Sequence, residues 1–420
     1  MESVRHMLEN NKKIARWAGL ADHSPSIGWI VRGEKFVWTP EADETAASSG
    51  NESQAQYEIG SITKTLTAFL LANGEREGLW NASDSLSEGI PELESSEFAR
   101  QTTLRELATH TSGLPRLPQN AILSMKQGKA NPYAGYLDEH LLEAVRAEQV
   151  KIKKKHQYSN YGFGLLGWIL ARRSGVALRN MLAQELFVPL GMNGSELYSR
   201  KQADTAPEAG RKTAAEAKAV GARESSRAQA PPEQGSPAGN PFELTDARKQ
   251  RMLAQSGETA ERLRADLSLV SGFAPGGKPT PHWDFTSAMA GAGAVRSTLP
   301  DMLTYLEAQL GQHPGGASLE PAFLDCQTEQ ASVAPSKGVG IGYAWMRSMR
   351  GDGTVTHWHN GATYGASSFA AFNRDLQSGF VILSNRGISL GGQLKQMIGL
   401  GELGTDRAAH LVAETLFKNE

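Results

Sequence analysis

The chain has 420 residues, a formal net charge of −2, 40% hydrophobic and 21% charged residues, and one cysteine, Cys326. That balance fits a globular protein with a full core and two or three domain-sized units. It gives no basic footprint for nucleic acid or an anionic membrane surface, and a single cysteine excludes an internal disulfide. The opening residues, MESVRHMLENNKKIARWAGL, hold no apolar run of signal-peptide length. No segment approaches the roughly 20 apolar residues of a membrane span. Read as given, the chain is expected in the cytoplasm, or in the periplasm or outside the cell if a leader has been removed.

Residues 26–39 (SIGWIVRGEKFVWT) read as a β-hairpin, two β-rich runs flanking Arg32-Gly33-Glu34. After a polar stretch to Gln56, Tyr57-Glu58-Ile59-Gly60 leads into SITKTLTAFLLANGEREGLW. There Leu66, Phe69 and Leu70 recur at helical spacing, so a helix is expected to open near Ser61. Residues 100–190 read as mostly helical, most clearly in LDEHLLEAVRAEQV and YGFGLLGWILARRSG. The second is closed by Gly175 after Arg172 and Arg173. Over 199–241 Ala, Glu, Arg, Lys, Pro and Ser dominate and large apolar residues vanish, which reads as a solvated low-complexity insertion. From Gly291 onward a helix around Asp301–Leu310 precedes the β-rich stretches GVGIGYAWM, TVTHWHNGATYG, SSFAAFN and GFVILSN. An amphipathic helix over Asp406–Lys418 follows.

Strands thus gather at the chain ends and helices in the middle. The fold class expected is α+β, an α/β sandwich: an antiparallel sheet flanked by helices, built from residues 1–80 and 295–420, with an all-helical domain inserted over 81–294.

Three motifs carry chemistry. In Ser61-Ile62-Thr63-Lys64, positions i and i+3 of a helix share a face, which sets the Lys64 amine beside the Ser61 hydroxyl. A serine hydroxyl is a poor nucleophile until a neighbour takes its proton, and a lysine whose pKa is lowered by burial or nearby cations is able to do so. At a helix N-terminus, Ser61 also sits where free N–H groups favour developing negative charge. Tyr158-Ser159-Asn160 comes just before a strong helix. A tyrosine near an ammonium group has a depressed pKa, and the Asn160 amide suits a substrate carbonyl or amide, although a plain N-cap is the ordinary reading of Asn160. In His359-Asn360-Gly361, Gly361 lets the backbone approach a ligand closely. The Ala362 N–H is then placed to share an oxyanion hole with that of Ser61.

S-x-x-K, then Y-x-N, then a (K/H/W)-x-G on a strand resembles the ordered signature of the serine β-lactamase and penicillin-binding superfamily. The chain is most similar to its class C-like branch of β-lactamases, carboxylesterases, D-aminopeptidases and DD-peptidases. YEIGSITKTLTAFLLANGEREGLW, LRELATHTSGLP, GLLGWILARRSGVALRNMLAQELFVPLGM and PHWDFTSAMAGAGAVRSTLPDML also fit that branch, over roughly residues 26–400 outside the insertion. The resemblance implies that Ser61 is acylated, that Lys64 and Tyr158 shuttle its proton, that Asn160 orients the substrate and that the Ser61 and Ala362 amides hold the oxyanion. It leaves the acylation base open, and it implies no cofactor or metal.

One position departs from the lactamase pattern. His359 stands where those enzymes have a lysine that helps hold the antibiotic carboxylate, and a histidine near its usual pKa of about 6.5 is mostly neutral at pH 7. The expected function is therefore a serine hydrolase acting on a small ester or amide, of carboxylesterase or D-peptidase type. A class C-like β-lactamase and a non-hydrolytic penicillin-binding sensor or scaffold are the alternatives. Lys151, Lys153, Lys154 and Lys155 read as solvated surface. Gly387-Ile388-Ser389-Leu390-Gly391 matches G-x-S-x-G, but too little chain follows it for an α/β-hydrolase triad. His357 and His359 share a strand face but lack a third ligand in any metal motif. His110 reads as a hydrogen-bonded loop residue, and Cys326 as a small buried hydrophobe.

Overall fold

The computed structural model describes residues 2–40, 55–121, 133–150, 155–199, 267–388 and 404–418. The insertion at 199–241, apart from Ser199, and the second half of the G-x-S-x-G stretch lie outside the described residues.

In chain order the strands are β1 (Ser26–Val31), β2 (Glu34–Trp38), β3 (Ala55–Glu58), β4 (Glu196–Leu197), β5 (Ser268–Leu269), β6 (Gly272–Phe273) and β7 (Pro279–Thr280). They continue with β8 (Val295–Thr298), β9 (Ala331–Ala334), β10 (Val339–Ile341), β11 (Met346–Met349), β12 (Val355–Ala362), β13 (Ser367–Asn373) and β14 (Ser378–Ser384). Eight of them form one sheet in the order β2-β1-β14-β13-β12-β11-β10-β9. Every pairing in it is antiparallel, and β1 from the N-terminal part pairs with β14 from the C-terminal part. The expected sheet built from both ends is therefore present. The β1–β2 hairpin turns at Arg32 (φ 49) and Gly33 (φ 86), the two positive values that a two-residue turn matched to strand twist requires.

Period-2 alternation divides the sheet between two cores. Ile27, Trp29, Ala371, Phe380 and Ile382 face Val4, Leu8, Ile14, Trp17 and Val412, which come from the helices Glu2–Asn10, Lys12–Ala18 and Thr405–Leu416. Ile30, Ala370, Phe372, Val381 and Leu383 face the larger core, where the helix Leu299–Gln309 lies. The N-terminal stretch, for which the sequence suggested no element, forms the helices Glu2–Asn10 and Lys12–Ala18.

Among the described residues between 100 and 190 the chain is mostly helical, as expected, with Asp138–Ala147 and Asn160–Ser174 the longest helices there. Gly175 closes the latter with φ 69. The stretch read as all-helical also supplies the two-residue strands β4 to β7. β4 and β5 flank β8 and β3 in a four-stranded sheet, so short polar-flanked strands too brief to show alternation escaped the pattern. The helix Thr63–Arg76 is buried from Thr63 to Gly74 and occupies the centre of the larger core.

Candidate active site

Ser61 does not sit on the α-helix itself. Residues Gly60–Ile62 form a 3₁₀ turn that passes into the helix at Thr63. Gly60 has φ +49, and a Cβ there would lie 2.6 Å from the Ala362 nitrogen. Glycine is required on both counts, and the consequence is that the chain entering Ser61 runs against the end of β12.

The predicted side chains meet. Lys64 Nζ lies 2.9 Å and Tyr158 OH 2.6 Å from Ser61 Oγ. Lys64 also donates to the Ala292 carbonyl at 2.6 Å. The lysine is fully buried, and burial first, then the Arg116 charge, lower its pKa well below 10.5. Burial raises the Tyr158 phenol to about 12, against the opposing effects of its bond to Ser61 and of Arg116. The Ser61 hydroxyl thus lies between an amine whose protonated form is disfavoured and a phenol held in its protonated form. Lys64 Nζ donates to Ser61 Oγ and to the Ala292 carbonyl, and Tyr158 O–H donates to Ser61 Oγ.

The Tyr158 segment is pinned from both sides. The His110 carbonyl accepts the Gln157 N–H at 2.8 Å, and His110 Nδ1 accepts the Ser159 N–H at 3.1 Å. Burial, with lesser contributions from Lys64, His359 and His156, holds the His110 pKa well below its usual value, so Nδ1 stays an acceptor. Ser159 donates from Oγ to the Pro115 carbonyl at 2.7 Å, and the Arg116 carbonyl accepts from the Asn160 and Tyr161 amides. Ser159, not Asn160, is the N-cap of the helix that follows, accepting from Gly162 N. This frees the Asn160 side chain. Its Nδ2 donates to Tyr133 OH at 3.1 Å, and its Oδ1 is buried without a partner among the described residues.

On the other side stands β12. A Cβ on Gly361 would lie 2.1 Å from the Ile59 carbonyl oxygen and 3.0 Å from Ser61 N, so the strand and the Ser61 turn are in contact there. Thr363 N–H donates to Ala366 O at 2.9 Å. Alternation along an antiparallel pair then directs the Ala362 N–H away from β13. On that side β11 stops at its Met346–Trp358 pairing. The Ser61 and Ala362 amides are therefore neighbours at an open strand end. His359, 3% exposed, donates from Nδ1 to the Asn360 carbonyl at 2.6 Å. Burial and the nearby Lys64 lower its pKa to about 3, against the effect of that bond, so the imidazole is neutral.

Sequence reasoning missed the residues that hold this side in place. Buried Glu58 accepts from Trp283 N at 2.6 Å and from Thr363 Oγ1 at 2.7 Å, which ties β3 to the turn after Ala362. Ser368 Oγ donates to the Ile59 carbonyl at 2.8 Å. Tyr133, Trp283, Phe285 and Tyr364 form an aromatic cluster beside Asn160. No local pattern marked them: the partners of Glu58 and Ser368 lie 225 to 309 residues away, and the aromatic cluster joins three separate segments. His357 bonds to the Gln327 carbonyl through Nε2, not to a ligand shared with His359. Among the described residues no group of three His, Cys, Asp or Glu side chains is placed to hold a metal, and no helix is long and apolar enough to cross a membrane.

A family model described as Beta-lactamase matches residues 21–395. The curated Beta-lactamase of Providencia stuartii is 30% identical over 176 residues, 42% of this chain and 43% of that protein. Penicillin-binding protein 4* of Bacillus subtilis (strain 168) is 27% identical over 146 residues, 34% of this chain and 31% of that protein. The chain therefore spans less than half the length of either curated relative. Two solved structures share the fold across nearly the whole chain. They are a class C beta lactamase from Rhodobacter sphaeroides (TM-score 0.64, 17% identity, 99% of each chain) and a D-alanine carboxypeptidase from Burkholderia cenocepacia (TM-score 0.64, 18% identity, 99% of each chain).

Proposed function

The chain belongs to the beta-lactamase family, and from that premise we propose a serine hydrolase that works through an acyl-Ser61 intermediate on a small ester or amide. The observation that supports this most strongly is the Ser61 hydroxyl set between Lys64 Nζ at 2.9 Å and Tyr158 OH at 2.6 Å, beside the Ser61 and Ala362 amides. In this reading Ser61 Oγ bonds to the substrate carbonyl carbon while its proton passes to the neutral Lys64 amine. The two amides receive the oxyanion. The carbonyl re-forms as the bond to the leaving alcohol or amine breaks, and the leaving group takes a proton from Tyr158, which Lys64 replaces. Water then attacks the acyl-Ser61 carbonyl by the reverse route, giving the acid and free serine. Asn160 Oδ1, unpaired among the described residues, orients the substrate.

The neutral His359 favours ester or D-peptide substrates over efficient turnover of a β-lactam, whose carboxylate gains nothing from an uncharged imidazole. The test is a fluorophosphonate label followed by mass spectrometry of the peptide containing Ser61, alongside turnover of p-nitrophenyl butyrate and a cephalosporin. Labelling at Ser61, loss of label and of ester turnover in Ser61→Ala, and ester turnover exceeding that of the cephalosporin are expected. A Ser61→Ala protein that retains ester turnover would end the proposal. Stable acylation without turnover would identify a sensor instead.

A further inference from the structure

Arg116 belongs to none of the motifs, yet it faces them. Its guanidinium carbon lies 5.2 Å from the centroid of the Tyr158 ring, so it stands across the phenol that touches Ser61 Oγ. The side chain is exposed, and among the described residues no carboxylate pairs with it. Its backbone is fixed, because its carbonyl accepts from the amides of Asn160 and Tyr161. Among the described residues, the two other basic side chains at Ser61 and Tyr158 are committed elsewhere: Lys64 is buried on Ser61 and Ala292, and His359 is buried on Asn360. The segments that carry Arg116 and Tyr158 add to the asymmetry. From Leu107 to Leu137 and from Gln149 to Gln184 the sequence holds no Asp or Glu, although the whole chain has a net charge of −2.

A guanidinium is always charged, and its planar fork matches a carboxylate with two parallel hydrogen bonds. A substrate lying on Ser61 and running past Tyr158 would bring its far end to this fork. We propose that the substrate carries a carboxylate and that Arg116 recognises it, a specificity device on the helical side of the site in place of a charge on β12. The inference rests on the acyl-Ser61 reading above and adds the substrate class to it.

The test compares kcat/KM for carboxylated and neutral esters in the full chain. The mono-p-nitrophenyl ester of glutaric acid is set against p-nitrophenyl butyrate, and 3-carboxyphenyl butyrate against phenyl butyrate, so that a carboxylate is offered on either side of the scissile bond. In Arg116→Gln the carboxylated-to-neutral ratio of at least one pair is expected to fall about ten- to hundredfold, equivalent to about 1.4 to 2.8 kcal/mol, and Arg116→Lys to recover part of it. A ratio that moves less than twofold in both pairs overturns the inference, even if both absolute rates fall. That pattern would mean Arg116 acts through the Tyr158 phenol. In the unaltered protein, glutarate is expected to inhibit p-nitrophenyl butyrate hydrolysis competitively and less so as salt rises, whereas dimethyl glutarate does not. Equal inhibition by the two, or none by either, also overturns it. Ester turnover surviving in Ser61→Ala would instead place the failure in the acyl-serine reading.

Discussion

The two sides of the site work on opposite terms. In the proposed reaction the helical side works through side chains that the backbone places: Lys64 is buried against Ser61, and Tyr158 is clamped between the bonds that His110 makes to Gln157 and Ser159. In the same proposal the strand side works through its backbone and keeps its side chains out of the way: Gly361 has no room for a methyl group, and His359 is buried and neutral. The difference follows from the two tasks. Moving a proton requires an ionisable group, whereas receiving negative charge requires dipoles that are already oriented, which a strand end supplies without reorganising.

The largest expected effect comes from removing the amine proposed to accept the Ser61 proton. Lys64→Met should lower kcat for p-nitrophenyl butyrate by about 10² to 10⁴, the usual span of general acid–base catalysis. The same substitution should stabilise the protein at pH 7 by about 1 to 4 kcal/mol, because an apolar side chain replaces a buried ionisable one. The sign follows from linkage. The folded pKa lies below the unfolded 10.5, so between those values the unfolded chain binds a proton that the native chain does not, and native stability rises with pH. The gain in Lys64→Met should therefore shrink as pH rises and vanish above 10.5. Urea midpoints at pH 7 and pH 10.5 check this, and a variant both inactive and less stable at pH 7 would break the contrast between the two sides.

Gly361→Ala probes the strand side. The new methyl would meet the Ile59 carbonyl oxygen at 2.1 Å, Ser368 Oγ at 2.5 Å and Ser61 N at 3.0 Å. β12 and the Ser61 turn must then part. The expected loss is about 10² to 10³ in kcat, as for a displaced oxyanion donor, together with about 1 to 3 kcal/mol of stability. Here, unlike Lys64→Met, activity and stability should fall together. Gly351→Ala, in a position with no atom within 4 Å, is the control that should change neither.

What could be read from the sequence follows the same division. Lys64 was legible because the i, i+3 relation survives even though Ser61 lies in the 3₁₀ turn one step before the helix. The hairpin, β12 to β14 and the sheet closed from both ends were legible because β-rich runs of five to eight residues bounded by turn residues are a strong signal. The clamps were not. Glu58 reads as a strand residue until Trp283 and Thr363 fold onto its two oxygens. His110 reads as a loop residue, correctly, but nothing local shows that its bonds flank Tyr158. The Ala292 carbonyl that accepts from Lys64 is a backbone atom and leaves no mark on the sequence. Such long-range partners are fixed by tertiary packing, which one sequence does not display.

The smallest effect is expected at His359, where the strand side is tested for a hidden charge. If the imidazole stood in for a lysine, it would need to be protonated while the enzyme works. Its surroundings oppose that: it is 3% exposed, its Nδ1 proton is committed to the Asn360 carbonyl, and its pKa is about 3. His359→Gln should accordingly change kcat/KM for a neutral ester less than tenfold and leave the shape of the rate profile between pH 5 and 8 unaltered. Stability should respond more than rate. Between pH 6.5 and about 3 the unfolded chain protonates this imidazole and the native chain does not, so native stability is lost as pH falls through that window, by about 1.4 kcal/mol per unit from this group. His359→Gln should flatten the fall in urea midpoint between pH 7 and pH 4.5. A rate step near pH 6.5 that disappears in His359→Gln would mean instead that a charged imidazole works on β12, and that the strand side contributes a side chain to the chemistry after all.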